Sequence, residues 1–244
     1  MTDPQSAAAS AASWLDQVEE STQRLLQTVA ELKPDAVTEP SALPGWTRGH
    51  VLAHLARNAD SLVNLLNGAR TGTDIPQYAS GEARDADIER DAPRPLEVHL
   101  ADLRDSHARF TEAAALLPDE AWTAEVRHRT GYVFPASDIP HKRLLEVEYH
   151  HVDLAAGHTP AHWPEDFATA QFRKLAESLA GAGLPAVRLV ATDTEDRAVI
   201  GTGEPALTVE GPVRALLAWL SGRSAGADLR RTPDTDLPPL PPMG

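Results

Sequence analysis

The chain is 244 residues long, enough for one large domain or two modest ones, and its 42% hydrophobic and 24% charged residues give the balance of a folded protein, which excludes a coiled coil, a collagen-like chain or extended disorder. The 36 acidic residues against 22 basic ones leave a net charge of −14, a field that repels phosphate backbones and anionic surfaces, so neither nucleic acid nor membrane is an expected partner. The absence of cysteine excludes disulfides, thiolate metal ligands, iron–sulfur clusters and an internal thiol nucleophile together, so any metal must be held by histidine and carboxylate.

In chain order, Trp14, Val18, Leu25, Val29 and Leu32 recur at helical spacing, with Thr22 in the gap, and Pro34 stops the pattern. The turn-like Leu43-Pro44-Gly45-Trp46 leads to Thr47, a cap for a second helix that carries Val51, Leu55, Ala59, Leu62 and Leu66 inward and ends at Gly68. Residues 69–92 are polar and read as a long connection with one helical turn at most. A third helix runs from Leu96 through Leu100, Leu103, His107, Phe110 and Ala114 to Leu117, with Pro95 near its start and Pro118 beyond its end. His107 reads as a hydrogen-bonded core histidine. Residues 122–135 form an extended excursion, and Ser137 or Asp138 caps a fourth helix that continues to about Gly157.

The texture changes after Pro160, and a boundary is placed between residues 162 and 163. A helix over about 167–179 is ended by Gly181 and Gly183. Three β-prone runs follow, 186–191, 197–201 and 206–210, and suggest a small antiparallel sheet. Pro212 opens a last helix, Gly222 closes it, and residues 232–244 read as a Pro-rich extended tail. The expected fold is therefore α+β: a four-helix bundle over 1–162 and a smaller α/β domain over 163–244. No apolar run approaches the ~18 residues of a membrane span and residues 1–13 lack a secretory pattern, so a cytoplasmic protein is expected. Nothing in the sequence demands a dimer, and a monomer is expected.

The chemistry concentrates on two helices. His50, His54 and Asn58 lie one turn apart on the second, and Arg143, Glu146, His150 and Asp153 form a polar seam between apolar flanks on the fourth. A carboxylate and an imidazole one turn apart can converge on one cation, and a third ligand from a facing helix leaves a tetrahedral position open; His54, Glu146 and His150 fit that arrangement. These spacings also arise on exposed amphipathic helices, so spacing alone leaves both readings open. His50 is read as an outer or surface group, and Glu148 and His151 as solvent-facing partners. Arg84 in the long connection and Arg223 behind Gly222 could grip carboxylates bidentately, or be ordinary surface arginines. The sequence has no Gly-x-Ser-x-Gly, Walker loop, Gly-x-Gly-x-x-Gly or His-Glu-x-x-His, so those enzyme classes drop out.

Leu43-Pro44-Gly45-Trp46-Thr47-Arg48-Gly49-His50 through Ala53-His54-Leu55-Ala56-Arg57-Asn58-Ala59 resembles the opening motif of mycothiol-dependent maleylpyruvate isomerases, a branch of the DinB-like metal-binding bundles. The resemblance continues through Thr71-Gly72-Thr73, Ile75-Pro76-Gln77-Tyr78, Ser80-Gly81-Glu82-Ala83-Arg84, Glu146-Val147-Glu148-Tyr149-His150-His151-Val152-Asp153-Leu154 and Gly222-Arg223. It implies a DinB-like bundle that holds zinc or another divalent metal through His54, Glu146 and His150. It further implies mycothiol as the thiol cofactor, a small anionic substrate, and Arg84 and Arg223 as catalytic arginines. The implied reaction is cis–trans isomerisation of maleylpyruvate to fumarylpyruvate. The chain departs from the pattern at Gln77, Glu148 and His151. The same superfamily contains thiol S-transferases that retain the adduct, and a metal-containing binding module is the reading from outside the enzymes.

Overall fold

The first helix begins earlier than its apolar stripe, because Asp3 accepts a hydrogen bond from the Ser6 amide (3.2 Å) and Pro4 suits the first turn. The computed structural model describes residues 3–241, and they form two compact units that divide between His158 and Thr159. In the first unit, α1 spans Pro4–Ala30, where the small buried Ala7 and Ala11 prolong the face set by Val18, Leu25 and Val29. α2 spans Arg48–Thr71, α4 Leu96–Ala115 and α5 Ile139–Asp153, the long helices that the periodicity predicts. α2 runs one turn beyond Gly68 to a left-handed Gly72. Gly68 lies within the helix, and a glycine is needed there because the Thr73 carbonyl oxygen lies 2.8 Å from where a Cβ would stand.

Leu25, Val29, Leu52, Leu55, Leu103 and Val147 meet in one buried cluster, on which Leu43 and Trp46 also pack. Each such side chain contributes about 1.5–3 kcal/mol by leaving water. His107 is buried and its Nε2 lies 2.7 Å from Glu19 Oε2, as a partnered core histidine should. The excursion after α4 is a short antiparallel hairpin of β1, Glu125–Arg127, and β2, Val133–Pro135.

Two expectations in this unit are corrected. The polar connection contains a full helix, α3, Gly81–Asp91, capped by Ser80, which accepts from the Ala83 amide. Few of its side chains are apolar, and it is tied ionically: buried Asp91 lies 3.0 Å from Arg57 of α2 and 2.6 Å from Arg94 of the turn that follows α3. Glu148 and His151 do not face solvent. Both are buried, with Glu148 accepting from Ser21 Oγ (2.5 Å) and Arg24 Nη2 (2.8 Å), and His151 Nε2 2.8 Å from Thr28 Oγ1, all on α1.

Burial pushes the Glu148 carboxyl above its ordinary range, against the opposing pull of Ser21 and Arg24. A folded pKa above the unfolded one means that stability falls as pH rises from the unfolded value through the folded one. Glu148→Gln is therefore expected to raise the melting temperature near neutral pH. The gain should vanish below about pH 4, where the carboxyl is protonated in both states. Calorimetric scans of both proteins across that range check it.

In the second unit, α6 spans Glu165–Leu179, β3 Ala180–Ala191, β4 Arg197–Gly211, α7 Val213–Leu220 and β5 Arg230–Thr232. The sheet is mixed, which corrects the antiparallel expectation. The first part of β4 runs antiparallel to β3, with Val187 opposite Ile200 and Leu189 opposite Ala198. Its later part runs parallel, with Val187 opposite Leu207 and Ala191 opposite Gly211. The two runs predicted at 197–201 and 206–210 are thus one strand bent between them. Gly201 makes the bend possible: its φ is +76°, and a Cβ there would lie 2.5 Å from the Pro185 carbonyl oxygen. β5 pairs antiparallel to β4, where the tail was expected to begin, and residues 242–244 of that tail lie outside the described residues. No described helix is long and apolar enough to cross a membrane.

Candidate metal centre

The start of α2 is fastened to the end of α5. Arg48 Nε donates to the Leu154 carbonyl (2.8 Å) and Nη2 to that of Ala155 (2.7 Å), closing carbonyls that a helix end leaves open. The Ala42 amide donates to the Asp153 carbonyl at 2.8 Å, so the loop before α2 is tied to the same place. Thr47 and His50 form a capping box at the first turn of α2, which occupies His50 Nδ1, while His50 Nε2 lies 3.3 Å from Glu89. His50 is thereby a structural group outside the cluster.

This registry brings His54 of α2 opposite Glu146 and His150 of α5. His54 Nε2 lies 2.9 Å from Glu146 Oε2 and 3.1 Å from His150 Nε2, and His150 Nε2 lies 3.3 Å from Glu146 Oε2. One donor atom from each of the three thus sits within 4.8 Å of the others, in an arrangement that could hold a metal ion. Two imidazole nitrogens and one carboxylate oxygen are the donor set of an open zinc site with three protein ligands. His54 is buried, whereas the Glu146 and His150 side chains keep 32% and 17% of their exposure, so the cluster is closed behind and open in front.

Charge follows the same geometry. Burial alone would raise Glu146, but the imidazoles of His150 and His54 outweigh it and hold the carboxylate well below its usual range. Burial lowers His54. Burial also pulls His150 down, yet Asp153 and Glu146 together raise it. Asp153 Oδ2 lies 2.9 Å from His150 Nδ1, an ion-pair contact that sets a carboxylate beside the outer nitrogen of the imidazole.

Trp46 and Tyr78 have no signature in helical spacing, and Arg143, on the polar seam, has a role that spacing does not show. Trp46, from the loop before α2, sets its ring 5.6 Å from that of His54. Arg143, one turn before Glu146, is completely buried; its Nη1 donates to the Leu55 carbonyl (2.8 Å) and Asn58 Oδ1 (2.9 Å), pinning α5 to α2 behind the cluster. Burial lowers its guanidinium to about 10, and Glu146 is the foremost charge opposing that shift. Tyr78 lies with its ring 5.9 Å from the Arg84 guanidinium carbon. Asn58 and Arg143 lie on the polar lines of the second and fourth helices, but their partnership across the two has no signature in spacing.

Arg84 is at the cluster, carried there by α3: its Nη2 lies 3.2 Å from His54 Nδ1 and its Nη1 2.6 Å from Asp85 Oδ1. Arg223 belongs to the second unit, behind a left-handed Gly222, where its Nη1 donates to the Ser221 carbonyl at 3.1 Å.

Residues 18–155 match the family model of the mycothiol maleylpyruvate isomerase N-terminal domain. A crystal structure of a mycothiol-dependent maleylpyruvate isomerase is 27% identical to the chain, with a TM-score of 0.87 over 95% of this chain and 96% of that one. A crystal structure of a histidine-to-alanine mutant of the mycothiol-dependent maleylpyruvate isomerase is 26% identical, with the same TM-score and coverage. No curated protein matches the chain in sequence.

Proposed function

Because the chain belongs to the mycothiol maleylpyruvate isomerase family, we propose that it is a zinc- and mycothiol-dependent isomerase that converts maleylpyruvate to fumarylpyruvate. The observation that carries this reading is the three-donor cluster of His54, Glu146 and His150, open on one side and built on the two helices that the family motif covers. Zinc and mycothiol, when bound, would supply a thiolate at neutral pH that adds reversibly to the cis double bond and makes it a rotatable single bond.

The chain's own residues do the rest. His54, Glu146 and His150 would hold the metal, with the Asp153 carboxylate beside the outer nitrogen of His150. Trp46 covers one side of His54 with an apolar face that limits water there. Arg84, a permanent cation in a net-acidic protein, attracts an anionic substrate and stabilises the negative charge that moves onto the conjugated carbonyl. Arg223 enters this reading as the second catalytic arginine on the Gly222-Arg223 motif alone. A chain without cysteine takes its thiol from a small molecule, which agrees with an open metal position.

The test is to incubate purified zinc-loaded protein with mycothiol and maleylpyruvate and follow the product by absorbance and mass spectrometry. Thiol-dependent formation of fumarylpyruvate with the thiol released is expected. Unchanged maleylpyruvate overturns the assignment, and a retained thiol adduct moves the protein to the S-transferases.

A further inference from the structure

His54 and His150 face the cluster with the same atom, Nε2, but their outer nitrogens meet opposite partners. His150 Nδ1 lies against a carboxylate, Asp153, at 2.9 Å. His54 Nδ1 lies 3.2 Å from a guanidinium nitrogen, Arg84 Nη2. An arginine carries donors only, so this contact requires a lone pair on Nδ1. A neutral imidazole has one lone pair and one N–H. When it binds a metal through Nε2, the N–H is at Nδ1, where a histidine ligand normally gives it to a carboxylate, a carbonyl or water. Two donors would then face each other across 3.2 Å, with the positive charges of arginine and metal added to the conflict.

We propose that the Arg84–His54 contact and metal ligation by His54 exclude each other, so that loading the metal ejects Arg84 from the imidazole and frees its donors for an anionic substrate. The inference rests on the reading of His54, Glu146 and His150 as metal ligands. Two anchors keep the freed guanidinium beside the cluster, the Asp85 carboxylate at Nη1 and the face of Tyr78. Tyr78 is itself fixed through its neighbour Gln77, whose carbonyl accepts from Asn64 Nδ2 (3.1 Å) and whose Oε1 accepts from the Arg129 amide (2.7 Å). The arginine is thus coupled to metal occupancy: the guanidinium becomes available to a substrate carboxylate when the metal that activates the thiol is in place.

The sign of one measurement separates this arrangement from an ordinary supporting contact. Removing a residue that supports a metal-bound histidine weakens metal binding by about 10–100-fold. Removing a competitor strengthens it. Zinc affinity of the full chain is to be measured by competition with a chromophoric chelator, without thiol or substrate, for wild type, Arg84→Met and Arg84→Gln. Circular dichroism and melting temperature verify that each variant is folded.

Arg84→Met is expected to bind zinc about tenfold more tightly than wild type, the value of one lost charge-assisted hydrogen bond in the competing state. Arg84→Gln should bind at least as tightly as Arg84→Met, because its Oε1 can accept the His54 Nδ1 proton. Equal or weaker binding by Arg84→Met overturns the inference and leaves the metal site standing. A wild-type protein that takes up no zinc removes the metal reading and this inference with it.

Discussion

If the cluster is the zinc centre proposed above, His150→Ala is expected to take up no zinc and to lower thiol-dependent turnover by about 10³-fold or more, because that reading makes the metal responsible for activating and placing the thiol. His150 is the member of the cluster with the best support, with Asp153 2.9 Å from its outer nitrogen and Glu146 one turn away on the same helix. Its loss leaves His54 and Glu146 on different helices as a two-donor site. Metal analysis of the purified variant should find near-background zinc. Asp153→Asn provides the graded comparison: the ligand atoms remain, but the ring loses its carboxylate. Zinc affinity should fall by about 10–100-fold, and turnover should recover at saturating zinc. A His150→Ala protein that keeps full metal and full activity would sink the assignment of the cluster as the centre.

The cluster was legible because a helix turns a four-residue spacing into a shared face. Glu146 and His150 had to be neighbours on any helix through 139–153, and the apolar stripe around His54 required its helix to pack inward. The family resemblance, read from spaced blocks of motif, agrees with the family match over residues 18–155 and with the α+β fold of the similar crystal structures.

Polarity in a sequence does not fix exposure. Glu148 and His151 are polar, yet α1 carries Ser21, Arg24 and Thr28 at the spacing that meets them, a match between residues more than 120 positions apart. α3 is polar and mostly exposed, so it carries no apolar stripe to mark it as a helix. Its stability comes from the pairing of Asp91 with arginines of α2 and of the turn that follows, and ionic partners leave no periodic trace. The bent β4 shows another limit. Two β-prone runs, 197–201 and 206–210, imply separate strands, while in the fold Gly201 bends a single strand so that β3 pairs with both of its halves.

The largest stability effect is expected at Gly49, in the first turn of α2. A Cβ there would lie 2.1 Å from the Ala92 carbonyl oxygen and 3.1 Å from that of Val37. Both obstacles are backbone, so relief requires moving the end of α3 or the turn at Pro34–Thr38 rather than swinging a side chain. Alanine is the better helix former by about 1 kcal/mol, which sets the opposing effect. Overpacking of this kind costs about 1–3 kcal/mol where neighbours can yield and more where they cannot, and a 2.1 Å approach to a carbonyl lies at the upper end. Gly49→Ala is therefore expected to lose about 2–3 kcal/mol net, roughly 4–12 °C in melting temperature for a chain of this size. Gly81→Ala is the matching control: Gly81 opens α3 with nothing within 4 Å of its added methyl, so only the helix preference remains and stability should hold or rise. The two variants make the same chemical change at the start of a helix, so opposite shifts in the melting scan would isolate the close approach as the cause. Because Arg48, beside Gly49, fastens α2 to the end of α5, Gly49→Ala should also shed zinc at lower chelator concentration than wild type, whereas Gly81→Ala should not.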